Sequence, residues 1–451
     1  MWPAPRAEAL VIALDRAEAE AAATGRAVAD EANELDAIVR DLAAGWTGHS
    51  GLAARLHTEG VCAAAQVLSG HCLYLADVLR AEGSRLARAL VAGGTATEVE
   101  DADAALAARL VEAADALAGE VDPDTVACLD LTGTTGDDPR AIATLWHSLT
   151  PPERNRLARD HPELGSVAGL PAAQRDALNR TRLSRLLDEG AAGQLDASTH
   201  AALQALAGHL AVDPDRHLLA LHADGRAVVA SADPDGADRV VTLVPGTGSS
   251  LTSIDTTATR AQALCDTEDC VSVAWQGYHA PADLRSAAFG TDLATAHAAD
   301  LRDYASGLDA VDVQDGHDAP HAVVGYSYGS TVLGAAASDP RGLAADRMVH
   351  VGSPGAYADS LADQRVDDGG RTRPATSDDV ASAASRWDPI PWWSVTGLLG
   401  ALPGADGFGA PTTDVTEPGD GPGALRTAHS GYFDPGTVSL TEIGRLVQGR
   451  E

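Results

Sequence analysis

Two stretches in the N-terminal part of the chain repeat apolar side chains at the spacing of a helix seam. In residues 7–44 the seam consists of Leu14, Ala21, Val28, Leu35 and Leu42. A second seam, from about Ser50 to Leu90, consists of Leu68, Leu75, Leu79, Leu86 and Leu90. Gly45 and Gly48 interrupt the helical pattern between the two stretches. The pattern predicts two long helices that form an antiparallel hairpin.

The apolar pattern changes from helical to strand-like after Asp213. Helix-compatible sequence covers 97–120 and 140–210, and the runs beyond it are short. The runs HLLAL and RAVVAS flank Asp224-Gly225, which predicts a β-hairpin. Four further runs alternate with helix-compatible stretches, namely DRVVTLVPG, CVSVAWQG, HAVVGYS and RMVHVGSP. This alternation predicts a mostly parallel sheet with helices on both faces.

The chain is therefore expected to have three parts. Residues 1–96 form the helical hairpin, residues 97–210 form a helical connecting region, and residues 211–451 form an α/β domain. A chain of 451 residues is long enough for two or three domains.

Charge and composition exclude several classes of function. The chain has 65 acidic residues against 32 basic ones, a formal net charge of −33, so nucleic acid and anionic lipid are not expected as partners. The sequence contains no lysine, which excludes a Schiff base, a lysine general base and a phosphate-loop lysine. No HExxH-type metal motif occurs, and neither a metal nor a cofactor is expected.

The N-terminal sequence and the cysteines bear on location. MWPAPRAEALVIALDRAEAE has only a short apolar run followed by acidic residues, so a Sec signal peptide is not expected. No apolar run reaches the length of a membrane-spanning helix. The protein is expected in the cytoplasm, or outside the cell without a cleaved signal peptide. The five cysteines are expected to be buried thiols, with a Cys265–Cys270 disulfide as the alternative.

One short motif predicts chemistry. Gly325-Tyr326-Ser327-Tyr328-Gly329 fits G-x-S-x-G, lies after the strand-like HAVV and precedes the helix-compatible STVLGAAAS. In such a strand-to-helix turn the serine hydroxyl is accessible and can attack a substrate. The helix N-terminus directs N–H groups towards the reacting oxygen. Ser327 is the predicted nucleophile. The alternative is an ordinary glycine-rich turn.

A serine nucleophile needs a base and an acid, which in this arrangement follow it in the order acid, then base. Of the two histidines after Ser327, His350 lies in a strand, whereas His429 lies in a loop before the last helix and is the predicted base. Asp388 is the predicted acid because it follows an extended run of small residues and precedes Pro389. Asp406 and Asp414 lie in a Gly/Pro-rich loop and are not favoured.

Two further groups of residues complete the predicted site. The turn in LVPGTGSS follows an early strand, so the N–H groups of Thr247 and Tyr328 are the predicted oxyanion donors. Residues 389–428 have no clear regular structure, and aromatic side chains concentrate in or beside this loop: Trp387, Trp392, Trp393 and Phe408. They form either a lid over an acyl pocket or a satellite core under the loop.

The first half of the chain resembles a known family of helical hairpins. Trp46-Thr47-Gly48 lies between the two long amphipathic helices, as in the WXG100 proteins exported by type VII secretion. That family's export signal has an acidic residue four positions after a tyrosine, whereas Tyr74 is followed at that offset by Val78. The resemblance implies self-association or pairing with a similar hairpin, and type VII export as one route out of the cell.

The second half resembles the actinobacterial α/β-hydrolase family known as DUF1023. Its motifs stand in the family's order between residues 240 and 433: VPGTGSS, GYHAPADL, GYSYGS, VGSPG, DPI, GFGA and HSGYF. The resemblance implies the α/β-hydrolase fold and a Ser–Asp–His triad carried by Ser327, Asp388 and His429, without indicating a substrate. The expected function is an esterase-like or lipase-like serine hydrolase acting on a small ester with an apolar acyl group. The alternatives are a serine peptidase or amidase, and a type VII secretion-associated binding protein with little catalysis.

Overall fold

The computed structural model describes most of the chain. The described residues are 4–43, 65, 68–70, 72–91, 95–118, 138–149, 151–265, 267, 270–283, 287, 290–393 and 397–449. The chain divides into two compact units, residues 1–136 and 137–451. This division lies inside the region 97–210, and the three-part domain boundaries derived from the sequence stay predictions.

The first unit is helical in its described part. Its helices are α1 (Ala4–Ala43), a π-helical turn (Leu79–Gly83), α2 (Ser84–Val91) and α3 (Ala96–Ala118), and residues 72–78 are also helical. Leu86 of α2 is buried with Ala102 and Leu106 of α3, and Leu14 of α1 packs against them. All three helices therefore share one core, because α3 covers apolar side chains that α1 and α2 leave uncovered.

The described residues bring the two predicted helices of the hairpin together. The Ser69 hydroxyl donates to the Gly25 carbonyl of α1 at 2.7 Å. A side chain on Gly25 would lie 3.0 Å from the Ser69 carbonyl oxygen, so the backbones approach closely here. The turn 46–48 and the side chains of Leu35 and Leu42 lie outside the described residues, so the WXG-like turn stays a prediction.

The second unit is built on a sheet of eight strands. The strands are β1 (His217–Leu221), β2 (Ala227–Ala230), β3 (Arg239–Val244), β4 (Cys270–Gln276), β5 (His321–Tyr326), β6 (Arg347–Val351), β9 (Val380–Ala384) and β10 (Thr412–Asp414). Their order is β1-β2-β4-β3-β5-β6-β9-β10. The pairs β1–β2 and β2–β4 are antiparallel, and all pairs from β4–β3 to β9–β10 are parallel. A separate hairpin is formed by β7 (Arg365–Asp368) and β8 (Arg371–Pro374). The predicted hairpin and the four predicted strands are confirmed.

Helices cover both faces of this sheet. The α-helices described in this unit are α4 (Pro139–Ser148), α5 (Pro151–Asp160), α6 (Ala172–Ala191), α7 (Ala197–Val212), α8 (Ile254–Gln262), α9 (Asp292–Asp315), α10 (Tyr328–Ala337), α11 (Ile390–Trp393) and α12 (Val438–Val447). One core lies under α8 and α12 and another under α9 and α10. The central strands are buried on both faces, which is why their sequences read as continuous apolar runs. Among the described helices, none is long and apolar enough to cross a membrane.

The helices before β1 belong to this unit. Leu183 of α6 and Leu203 of α7 are buried in one cluster with Leu218 of β1 and Val229 of β2. Asp176 of α6 also accepts a hydrogen bond from the Leu218 N–H at 2.7 Å. These contacts make α6 and α7 a covering layer for the antiparallel end of the sheet.

Two expectations about local structure need correction. The loop 389–428 contains α11 and the edge strand β10, which pairs in parallel with β9 from Thr412↔Ser382 to Asp414↔Ala384. A three-residue strand is too short to show an alternating pattern in the sequence. Cys265 and Cys270 form a disulfide, where buried thiols were expected, because the end of α8 and the start of β4 bring them together. Cys72 is free, and Cys62 and Cys128 lie outside the described residues.

Candidate active site

The turn between β5 and α10 holds Ser327 in an unusual backbone conformation. Ser327 has φ 53° and ψ −127°, a region that non-glycine residues adopt only under constraint. Its N–H donates to the Val351 carbonyl at 2.9 Å, and its carbonyl accepts from the Ser330 N–H at 2.9 Å. Hydrogen bonds on both sides therefore hold the strained turn, which presents the Ser327 hydroxyl at the carboxyl end of the sheet.

The two glycines of the motif allow this turn to pack. A side chain on Gly325 would lie 2.7 Å from the Ser330 Cα, and one on Gly329 would lie 2.2 Å from the Val244 carbonyl oxygen. Both distances are shorter than any real contact of a Cβ atom. The neighbouring backbones therefore approach as closely as the two glycines predicted.

Three side chains from distant parts of the sequence form one hydrogen-bonded chain. The His429 Nε2 lies 2.9 Å from the Ser327 Oγ, and its Nδ1 lies 2.8 Å from the Asp388 Oδ2. Asp388 is fully buried and Ser327 is 3% exposed. A histidine held between a carboxylate and a hydroxyl can take the hydroxyl proton and return it to a leaving group. The structure thus brings together the three residues that the sequence singled out.

The buried carboxylate of Asp388 is fixed by two more donors. The Ile390 N–H donates to Oδ1 at 2.9 Å, and the Tyr432 hydroxyl donates to Oδ2 at 2.7 Å. Burial raises the pKa of Tyr432 well above its usual value, so its hydroxyl keeps the proton that it donates. Tyr432 lies in the motif HSGYF, three residues after His429. The motif alone does not indicate that the tyrosine hydroxyl binds Asp388.

Gly352 leaves the space in which the acid and base meet. Its φ is +54°, and a side chain there would lie 2.7 Å from the Tyr432 ring, 2.9 Å from the Asp388 Oδ2 and 3.2 Å from the His429 Nδ1. Only glycine both tolerates this conformation and leaves the Asp388–His429 hydrogen bond room. The motif VGSPG contains this glycine, but nothing in its spacing indicates which groups it faces.

Tyr326 supports the histidine from its other side. Its ring stacks on the His429 imidazole, with centroids 5.2 Å apart and planes at 25°, and its hydroxyl donates to the His429 carbonyl at 2.6 Å. Burial raises the pKa of Tyr326 to about 12, so the hydroxyl stays protonated. The Arg260 guanidinium lies 5.2 Å from the same ring centroid. These contacts restrict the imidazole to one orientation.

The predicted oxyanion turn lies directly against the nucleophile. A side chain on Gly246 would lie 2.6 Å from the Ser327 Cβ and 3.2 Å from its Oγ, so the following residue, Thr247, stands beside the reacting hydroxyl. The turn is held by a hydrogen bond from the Gly248 N–H to the Pro281 carbonyl at 2.7 Å. Tyr328 is the first residue of α10, where helix N–H groups have no partner within the helix. Its donor role and that of Thr247 stay predictions.

The aromatic residues proposed as a lid differ in their burial and in whether the structure describes their side chains. Trp387 is partly exposed and directly precedes Asp388. Phe408 is 2% exposed and packs with Ala356 and Ala358, as the satellite-core alternative describes. The side chains of Trp392 and Trp393 lie outside the described residues, so the lid stays a prediction.

His350, Asp406 and Asp414, which were not favoured as base or acid, lie outside the Ser327–His429–Asp388 chain. His350 is fully buried in β6, and burial lowers its pKa to about 4. Asp414 accepts from Arg386 at 2.6 Å and from the Thr416 N–H at 3.0 Å, which gives its carboxylate a structural role at the surface. Asp406 is exposed.

Comparison with known proteins supports the fold and a hydrolase. Residues 222–386 match the alpha/beta hydrolase family model. The second unit is an α/β-hydrolase domain with a mostly parallel sheet of eight strands, preceded by an N-terminal helical region. The family match includes Ser327 and ends before Asp388 and His429. The match indicates a hydrolase and says nothing about which bond is cleaved.

Two curated relatives are similar over a longer stretch. They are the uncharacterized proteins MT2140 and Rv2079 of Mycobacterium tuberculosis, from strains CDC 1551 / Oshkosh and ATCC 25618 / H37Rv. Each is 28% identical over 372 residues, which cover 67% of this chain and 54% of the relative. The chain thus spans about half the length of the curated relatives it matches. No solved structure matches this chain.

We expect Tyr432→Phe to lower kcat for ester hydrolysis by roughly tenfold, with little change in KM. The variant removes one charge-assisted hydrogen bond to Asp388, worth about 1.5–3 kcal/mol, and frees the carboxylate to rotate away from His429. Steady-state kinetics on a p-nitrophenyl ester measure both constants. Tyr304→Phe is the matched control, because its buried hydroxyl pairs with Thr242 at 3.0 Å and takes no part in the Ser327–His429–Asp388 chain. An equal loss of kcat in the two variants would show that the Tyr432 hydroxyl has no specific role at Asp388.

Proposed function

We propose that the hydrolase domain is a serine hydrolase that cleaves carboxylic esters through Ser327, His429 and Asp388. The proposal is supported by the continuous hydrogen-bonded chain from the Ser327 hydroxyl through His429 to a buried carboxylate. It is also supported by the strained backbone of Ser327, which is the conformation of a nucleophile elbow.

The reaction has two halves that share one base. The Ser327 Oγ attacks the ester carbonyl carbon while its proton moves to the His429 Nε2. The resulting oxyanion accepts hydrogen bonds from the N–H groups of Thr247 and Tyr328. The alcohol leaves with the proton from His429, and an acyl-enzyme remains. A water molecule then gives a proton to His429, attacks the acyl carbon and releases the carboxylic acid, and the proton returns to Ser327.

Asp388 has two tasks in this cycle. It accepts the Nδ1–H of His429, which leaves the Nε2 lone pair free to take the serine proton. It also balances the positive charge of the imidazolium, which is favourable because the carboxylate is fully buried. Tyr432 and the Ile390 N–H hold it in place for both tasks.

The acyl group is expected to be apolar, and the chain length of the ester tests this. We expect kcat/KM to rise from p-nitrophenyl acetate to butyrate and longer esters, since the proposed lid would line an apolar acyl pocket and exclude water from the oxyanion. Trp392→Ala should weaken that preference more than it weakens acetate turnover. A flat or falling series would leave the loop 389–428 with a packing role only. Faster cleavage of peptide anilides than of any ester would favour the peptidase alternative.

We further propose that the helical unit pairs with itself or with a similar hairpin, as its resemblance to the WXG100 family implies. The long helix α1 and its close contact at Gly25 and Ser69 support a stable hairpin. Light scattering on the full chain is expected to give a dimer, and residues 137–451 alone a monomer. A full chain that is monomeric at micromolar concentration, without a hairpin partner in pull-downs from its host, would contradict the pairing. Type VII export is part of the same proposal and predicts the protein in culture medium.

A further inference from the structure

Arg175 is a buried cation that makes no direct ion pair in the described part of the chain. It lies in the first turns of α6, is 3% exposed, and its Nε is buried with no hydrogen-bond partner. Asp235 is the carboxylate that attracts it electrostatically, without a hydrogen bond to the Arg175 Nε. Burial lowers the pKa of Arg175 only to about 10, so the group is still charged at neutral pH. A buried, unpaired charge is costly unless something compensates for it.

Arg175 lines a cavity of about 310 Å³. Part of its wall is apolar and consists of Ile142, Val167, Ala220, Val228 and Trp275. The polar part includes His222 and Tyr304, and Asp300 stands at the rim with its side chain 46% exposed, so the cavity reaches solvent. The volume lies at the lower end of the range for small-molecule sites, roughly 300–1,000 Å³.

The acids near this cavity are engaged elsewhere. Asp303 pairs with Arg302 at 2.9 Å, and Asp300 pairs with Arg226 at 2.7 Å. Asp235 accepts the Ala172 N–H at 2.6 Å, and burial raises its pKa to about 7, so it is partly protonated at neutral pH. Arg175 therefore keeps a positive charge that a partly protonated Asp235 offsets only in part.

We propose that this cavity binds a small monocarboxylate with an apolar body, whose carboxylate pairs with Arg175. The planar guanidinium matches a carboxylate in two parallel hydrogen bonds, and the apolar wall receives the rest of the molecule. One cation favours a monoanion. His222 adds no second charge, since burial lowers its pKa to about 4. The strongly acidic chain, at −33, also disfavours multiply charged ligands.

Sodium butyrate is the probe, measured by isothermal titration calorimetry on the full chain. Wild-type protein is expected to bind it, and to bind the neutral isostere butyramide and sodium sulfate much more weakly. Arg175→Met should weaken butyrate binding roughly tenfold or more, and Arg175→Lys should weaken it less, because lysine keeps the charge and loses the two-pronged geometry. Arg185→Met on the same helix is the control, since Arg185 is exposed and should not matter.

The site is independent of the proposed hydrolase chemistry, and Ser327→Ala separates the two. That variant should bind butyrate like the wild type even if hydrolysis is lost. Butyrate that binds equally to Arg175→Met and wild type sits elsewhere, for instance as a product at Ser327, and would overturn the proposal. Absence of binding by wild type, with Arg175→Met less stable than wild type in carboxylate-free buffer, would show that the protein itself satisfies the guanidinium. Equal binding of sulfate and butyrate, lost in Arg175→Met, would contradict the carboxylate selectivity.

Discussion

Ser327→Ala is expected to abolish both fluorophosphonate labelling and the hydrolysis of short p-nitrophenyl esters. The variant removes the hydroxyl oxygen that lies 2.9 Å from the His429 Nε2, and alanine cannot form an acyl-enzyme. The fold should be retained, because the Ser327 N–H still donates to Val351 and the hydroxyl fills no apolar core. The free energy of unfolding is expected to change by less than about 1 kcal/mol. Gel-based labelling and denaturant unfolding of the same preparations measure the two effects.

Ser338→Ala is the matched control for this experiment. Ser338 lies at the other end of α10 and its hydroxyl donates to the Gly334 carbonyl at 2.8 Å, so its loss leaves the nucleophile untouched. Labelling of Ser338→Ala should equal that of the wild type. Persistent labelling of Ser327→Ala would show that another serine reacts. If the wild type itself is neither labelled nor active on any ester or amide, the non-catalytic binding alternative gains support.

The elements around Ser327 could be predicted because their signals are local. Strands β3 to β6 are buried on both faces and therefore appear in the sequence as short, continuous apolar runs. The elbow combines a strand, a strained serine and two glycines within a few residues, so one pattern contains its whole geometry. His429 could then be chosen from the two histidines that follow Ser327. Asp388 could be chosen from many aspartates because it ends an extended run of small residues before Pro389.

The supporting residues could not be predicted in the same way. Gly352, Tyr326 and Tyr432 act through contacts between segments that lie far apart in the sequence, and each has an ordinary local context. An apolar strand residue such as Tyr326 gives no sign that its hydroxyl reaches the His429 carbonyl. The same holds for Arg175, because the sequence does not show that its buried Nε has no hydrogen-bond partner among the described residues.

The edge strand β10 and the helices that cover the other end of the sheet were harder to predict than its centre. Strand β10 has three residues, and its sequence Thr412–Asp414 lies among prolines and glycines that are typical of a loop. The sequence of α6 and α7 indicates helices, and it does not show that they cover β1 and β2. Tertiary packing, and not local propensity, decides both cases.

Asp388→Asn is expected to lower kcat by roughly 10²–10⁴-fold, equivalent to about 3–5 kcal/mol of transition-state stabilisation. All three partners of this carboxylate donate to it: the Ile390 N–H, the Tyr432 hydroxyl and the His429 Nδ1–H. An amide group must turn its own donor towards one of them. If the amide faces His429, it favours the tautomer whose Nε2 already carries a proton and cannot accept one from Ser327. Steady-state kinetics should show the loss in kcat, with KM nearly constant.

Asp414→Asn separates this effect from the general cost of neutralising a partnered carboxylate. Asp414 also accepts several hydrogen bonds, from Arg386 and Thr416, but it lies at the surface and outside the Ser327–His429–Asp388 chain. Its variant should keep kcat within about twofold, since a surface ion pair is worth little. Wild-type turnover in Asp388→Asn would mean that the acid lies elsewhere. A large loss in both variants would trace the effect to the edge of the sheet at β9 and β10, because both carboxylates stand at its carboxyl end.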